Sequence, residues 1–222
     1  MTATPIRVDI ISDVVCPWCI IGYRQLLAAS AQSGIPVETY WHPFELNPNM
    51  PLEGENLTDH IQRKYGSTAA QSSAARAHLT ELGQSLDVTF DFTPNSRIYN
   101  TFDAHQLMHW AFETGKTQAL KLALFDRYFT KDEDVSSSDT LIDAAIEVGL
   151  DPDEARNVLT DQRFAEAVRD KEQFWTSRGV SGVPTMIFDT RQATSGAQGI
   201  DTFAQILSQL AARHHEVKPS AT

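Results

Sequence analysis

The chain has 222 residues, of which 41% are hydrophobic and 21% charged, the profile of an ordinary soluble globular protein with room for one large domain or one domain carrying an insertion. Eighteen basic residues against 29 acidic ones leave a formal charge of -11. That sign repels phosphate backbones and lipid headgroups, so neither nucleic acid nor a membrane surface is an expected partner. No basic segment followed by an apolar run opens the chain, and nowhere do about 18 apolar residues run together. Neither a secretory signal nor a spanning helix is therefore expected, and a cytoplasmic location follows as the default.

Residues 6–12, I-R-V-D-I-I-S, are rich in β-branched residues and alternate as a core strand does. Pro17 to about Ser33 reads as a helix: Pro17 suits a first helical position, and Gly34 followed by Pro36 ends it. Val37 to Phe44 is a second strand, so the chain begins with a β-α-β unit. The Pro-, Gly- and Asn-dense loop E-L-N-P-N-M-P-L-E-G-E-N marks a boundary. Beyond it the pattern is helical almost throughout, with Thr58 as a cap, a helix over Ala69–Leu86, and an irregular break at D-V-T-F-D-F-T-P-N-S. Further helices are expected over Arg97–Thr114, Lys116–Thr130 and Ser138–Val148, from Pro152, and over Asp161–Arg178. Sheet character returns with a strand over Thr185–Phe188, a turn at D-T-R-Q-A-T-S-G, a short strand A-Q-G-I and a last helix capped by Asp201. The expected division is 1–50 and 179–214 for an α/β domain, 51–178 for an all-helical insertion, and 215–222 for a frayed tail.

The chemistry centres on V-V-C-P-W-C-I-I-G, residues 14–22, which holds the two cysteines of the chain. A C-x-x-C in a cytosolic protein is more often catalytic or metal-binding than a permanent staple. Where a strand turns into a helix, Cys16 falls at the cap and Cys19 one turn on. Free N–H groups and the positive end of the dipole favour an anion at the cap, so Cys16 is the expected thiolate. Cys19, more buried, is the expected resolving thiol with an ordinary or raised pKa. Pro17 fixes the first turn and Trp18 walls one side of the sulfurs. A rival reading makes Cys16 and Cys19 half of a zinc site completed by His105 and His109, spaced i, i+4 on one helix. Haem attachment is excluded because Ile20, not histidine, follows Cys19. Val183-Pro184 in S-G-V-P-T has two local readings. One is an ordinary trans proline at a strand start. The other is a cis bond that turns the Val183 backbone toward an extended peptide.

Taken together, V-V-C-P-W-C-I-I-G, W-H-P-F-E-L-N-P, N-T-F-D-A-H at 100–105, G-V-S-G-V-P-T and S-G-A-Q resemble the DsbA-family thioredoxin-fold oxidoreductases. The nearest resemblance is to the FrnE-like subfamily, the polyketide-biosynthesis dithiol-disulfide isomerases, and it runs from about residue 6 to residue 213. It implies a thioredoxin-like α/β fold with a large helical insertion, Cys16 as nucleophile, Cys19 as resolving cysteine, and Pro184 as the cis-proline that faces them. Val183, Pro184, Pro17 and Trp18 would meet the substrate, a protein or small-molecule thiol or disulfide. His42, Asn100, His105 and Gln198 are candidates for a supporting shell, with Glu45 beside His42 as a proton relay to Cys19. No metal is implied and no cofactor beyond the redox-active disulfide, with glutathione a candidate co-substrate. Periplasmic relatives carry Pro-His between the cysteines. Trp18 cannot carry charge, so a potential between about -120 and about -270 mV is expected. Kappa-class glutathione transferases and 2-hydroxychromene-2-carboxylate isomerases share the split fold but carry serine where Cys16 stands; they supply the alternative, a glutathione-binding transferase or isomerase.

Overall fold

A computed structural model describes residues 4–216. Strand β1 (Ile6–Ser12) lies inside a four-stranded sheet, where Ile6, Val8, Ile10 and Ile11 are all buried and Arg7 alone of its residues is exposed. Helix α1 (Pro17–Ser33) follows, ended by Gly34 in the left-handed conformation (φ 68°), and leads into β2 (Val37–Pro43). After the insertion the chain returns with β5 (Thr185–Phe188), β6 (Gln192–Ser195) and α9 (Ile200–Glu216). The sheet order is β2-β1-β5-β6, with β1 parallel to β2 and antiparallel to β5, and β5 antiparallel to β6. Helices α1 and α9 pack on each other. Gly22 lets α1 approach the second half of the fold: a Cβ there would stand 3.1 Å from Met186 Cε and 3.4 Å from Pro184 Cγ.

The segment between β2 and β5 holds β3 (Glu55–Asn56), α2 (Leu57–Tyr65), α3 (Ala69–Gln84) and β4 (Arg97–Ile98). It continues with α4 (Phe102–Glu113), α5 (Thr117–Phe129), α6 (Ser138–Glu147), α7 (Pro152–Asp161) and α8 (Ala165–Thr176). The insertion is therefore not all helical. Glu55–Asn56 and Arg97–Ile98 pair antiparallel, two residues each, too short to produce a readable alternation. Asn56, not Thr58, caps α2, because its Oδ1 accepts from the N–H groups of Thr58 (2.9 Å) and Asp59 (3.2 Å). The helix expected from Asp161 begins instead at Ala165, after Gln162 takes a left-handed turn (φ 55°) that ends α7. The strand expected at A-Q-G-I falls five residues earlier, at Gln192–Ser195. Asp201 lies in the first turn of α9 and does not precede it. That helix also runs through residues 215 and 216, which were expected in the tail; residues 217–222 of the tail lie outside those described.

One polar knot fastens the insertion to the sheet. Gln118 on α5 accepts hydrogen bonds from Trp41 Nε1 (2.6 Å) and Thr39 Oγ1 (3.1 Å) on β2, and its amide donates to the Tyr23 hydroxyl on α1. The Trp41 ring lies 5.2 Å from that of Tyr23 and 6.1 Å from that of Phe125. The core is continuous from the sheet into α4, α5 and α6. Among the described residues no helix is long and apolar enough to cross a membrane.

Candidate active site

Strand β1 delivers the chain to a short turn, Asp13 to Val15, and Cys16 is the residue at which α1 begins (φ -92°, ψ 110°). Its N–H donates to the Asp13 carbonyl (3.4 Å), and the Cys19 N–H donates to the Cys16 carbonyl (3.0 Å). Both thiols are free and buried, Cys16 at 3% exposure and Cys19 at 0%. The Val183–Pro184 peptide is cis, and the Val183 carbonyl accepts from Cys16 Sγ at 3.5 Å. Two halves of the fold separated by the insertion thus meet at one sulfur.

The thiols titrate as a pair, and not with the polarity expected from the helix cap. Cys16 Sγ makes no bond to the helix N–H groups. It faces a carbonyl, which favours the protonated thiol. The hydrogen bond to Cys19, then burial, push the Cys16 thiol well up. For Cys19 burial acts in the same upward direction, but it is outweighed. The Cys16 thiol, the Lys121 ammonium, the Ser12 hydroxyl and the Asp13 backbone favour the thiolate, and Cys19 is lowered. Both influences act in one sense: the Val183 carbonyl favours the protonated Cys16 thiol, and Lys121 favours ionisation at Cys19.

Lys121 was not legible as a site residue. It lies on α5 in the amphipathic segment Thr117–Phe129, in the middle of an apolar stretch, and is 1% exposed. Burial lowers it to about 8, against the upward pull of Cys19, Asp13 and Cys16. Asp13 is equally enclosed. Burial opposes its carboxylate, yet His105 and the Leu46 N–H (2.7 Å) hold its carboxyl below the ordinary value.

Cys16 opens on an apolar cavity of about 280 Å³. Val15, Pro17, Trp18 and Val183 form one wall; Leu57, Ile61 and Tyr65 of α2 and Leu79 of α3 form another. Tyr128 and Phe129 of the insertion are buried and also line it, whereas Phe112 is 63% exposed. Cys19 does not line the cavity. Trp18 is 39% exposed, with its ring 6.3 Å from that of His78.

The other sequence candidates scatter. His105 is near the pair's electrostatics: its Nε2 lies 3.2 Å from the Phe44 carbonyl and 3.5 Å from Asp13 Oδ1. His42 is bound to Asp9 (2.8 Å), which Arg7 and His42 together hold at about 2 against the cost of its burial. Asn100 donates to the Met50 carbonyl (3.2 Å) and accepts from the Phe102 N–H (2.9 Å), so it starts α4 and faces no thiol. Gln198 lies between β6 and α9, where its amide donates to the Ser195 carbonyl. Glu45 is paired with Arg169. His109 packs on the ring of Phe164 (4.9 Å), and among the described residues no three His, Cys, Asp or Glu side chains are gathered to hold a metal. The zinc set of Cys16, Cys19, His105 and His109 therefore does not assemble.

A thioredoxin-like sheet split by a helical insertion, with a C-x-x-C pair opposite a cis X-Pro bond, defines the class of thioredoxin-fold dithiol proteins. The chain belongs to the DSBA-like thioredoxin domain family, whose pattern matches residues 7–208. It is 27% identical over 205 residues to the uncharacterized protein YwbO of Bacillus subtilis (strain 168), covering 91% of this chain and 96% of that one. The crystal structure of a probable DsbA oxidoreductase, SCO1869 from Streptomyces coelicolor, superposes with a TM-score of 0.87 at 31% identity, covering 98% of this chain and 93% of that one. A 2-hydroxychromene-2-carboxylate isomerase shares the fold with a TM-score of 0.68 at 14% identity, covering 96% of this chain and all of that one. Fold alone does not separate redox from isomerase chemistry, and the site has to do so.

Proposed function

We propose that the chain is a thiol-disulfide oxidoreductase or isomerase that works through Cys16 and Cys19. The observation that carries this reading is the position of Cys16. It is the thiol that lines the apolar cavity, 3.5 Å from the Val183 carbonyl, with Cys19 behind it. As Cys16 attacks a substrate disulfide, its proton passes to the Cys19 thiolate; the S–S bond of the substrate breaks, and its leaving sulfur departs as a thiolate that takes a proton from water. Cys19 then loses its proton and attacks the Cys16 sulfur, which releases the second substrate thiol and leaves a Cys16–Cys19 disulfide. Two electrons pass from the enzyme dithiol to the substrate. Thiols of the glutathione class, as co-substrate, restore the dithiol by the same two steps in reverse.

The Val183 backbone beside Pro184 offers an extended substrate a main-chain partner, and Pro17 and Trp18 border the entry. The substrates are protein or small-molecule disulfides in the cytoplasm, not nucleic acid or membrane, turned over at a potential between about -120 and about -270 mV. Insulin reduction tests the reading. Cys16→Ser abolishes it, and Cys19→Ala accumulates mixed disulfides on Cys16. Insulin reduction by Cys16→Ser at the unmutated rate would overturn dithiol exchange, and a surviving glutathione-conjugating activity would move the chain to the transferase or isomerase class.

A further inference from the structure

Gln118 and Lys121 share one face of α5, three residues apart, and Phe125 continues that face. Gln118 is bonded to the hydroxyl of Tyr23 on α1. One turn before Tyr23 along α1 stands Cys19; one turn after Gln118 along α5 stands Lys121. Ile20 of α1 and Leu122 and Phe125 of α5 line one cavity beyond that bond, so the two helices continue past each other in this direction and the clamp carries the lysine toward the Cys19 end of α1. Its Nζ lies 4.8 Å from the Phe125 ring and 5.3 Å from the Trp41 ring. The residue is 1% exposed, and among the described residues no ion pair within 4.0 Å holds its Nζ. Two aromatic faces do not compensate an ammonium removed from water. The negative charges that act on it are those of Cys19, Asp13 and Cys16, in that order. Asp13 is held at Oδ2 by the Leu46 N–H, and its Oδ1, which has no hydrogen-bond partner, lies 3.5 Å from His105 Nε2 on α4. The partner missing from the ammonium is a thiolate.

We propose that Lys121, contributed by the insertion, is the counter-ion of the reduced Cys16–Cys19 pair and biases that pair toward the dithiol. The inference rests on the dithiol-exchange reading above. Reduction of the disulfide by two glutathione thiols gives oxidised glutathione and two enzyme thiols. One of these releases its proton to solvent and leaves an S–H···S⁻ pair beside the Lys121 ammonium. Oxidation removes that negative charge, so the ammonium loses its partner and releases its proton more readily. The charge of Lys121 is thereby linked to the redox state, and the helical insertion, which supplies no cysteine, sets how strongly the thioredoxin unit holds electrons.

The test compares the wild-type chain with Lys121→Met, which keeps the length of the side chain and removes its charge. Each is equilibrated with reduced and oxidised glutathione at pH 7, and thiolate absorbance at 240 nm is titrated against pH. The expected result is a shift of threefold or more toward the disulfide in the equilibrium constant, with a higher apparent pKa for the thiolate. A shift of less than threefold overturns the inference. In the wild-type chain, with no substitution, the ¹³Cε signal of Lys121 is expected to titrate at higher pH in the dithiol than in the disulfide. Equal midpoints overturn the inference even if Lys121→Met does not fold. A wild-type pair that fails to cycle with glutathione or dithiothreitol refutes dithiol exchange itself, a separate outcome from an inert Lys121.

Discussion

Glu45→Gln isolates the cost of a buried carboxylate next to the site. The Glu45 side chain is 2% exposed, its Oε1 pairs with Arg169, and its Oε2 has no hydrogen-bond partner. Burial first, and then the negative charge of Glu172, push its carboxyl from the usual 4.5 up to about 7, although Arg169 pulls it down. Below pH 4.5 Glu45 is neutral in both the folded and unfolded chain. As the pH rises from 4.5 through about 7 the folded chain holds the proton that the unfolded chain has lost, so stability falls across that window. The gap between the two values corresponds to about 3 kcal/mol. Glutamine imitates the neutral acid and can still accept from Arg169. Thermal unfolding should therefore give nearly equal midpoints for wild type and Glu45→Gln about one unit below pH 4.5, where Glu45 is largely neutral in both states. At pH 8.5 the variant should unfold higher by about 6–12 °C, the shift that about 3 kcal/mol produces in a chain of this size. A difference that does not change with pH, or a wild type more stable at pH 8.5, would refute the reasoning.

Two further substitutions probe how the site is held. Gln118→Ala orphans the Trp41 N–H and the Tyr23 hydroxyl, and is expected to lower stability by about 1–3 kcal/mol in urea unfolding; an unchanged midpoint would show that the knot does not fasten the insertion. At Gly83 an added Cβ would stand 2.7 Å from the Val88 carbonyl oxygen and 2.7 Å from the Phe90 ring. Gly83→Ala should cost about 1–3 kcal/mol by overpacking, read in the same assay, and a neutral result would mean that the turn after α3 moves freely.

Much of this protein follows from its residues alone, because the signals are local. Strand β1 is legible in the β-branched run Ile6–Ser12, and α1 in the proline at its first position and the Gly34 that ends it. The C-x-x-C at that junction puts both thiols at the start of α1 without coordinates. The boundaries lost were those decided by single backbone turns, such as Gln162 between α7 and α8, and by two-residue strands. Among the site residues, Asn100, Gln198 and His42 sit in motifs shared with a family, but their hydrogen bonds are spent on carbonyls, a backbone N–H and Asp9.

The order of ionisation was beyond the sequence for a physical reason. A helix cap predicts a thiolate at Cys16, but charge in a buried pair goes where its partners are. Those partners come from distant segments: the Val183 carbonyl favours a proton on Cys16, and Lys121 on α5 favours the charge on Cys19. Nothing in the spacing between Cys19 and Lys121 marks them as neighbours; only the packing of α5 on β2 and α1 brings them together. The sequence determined where the two thiols stand in the fold, and the tertiary structure decided which groups surround each of them.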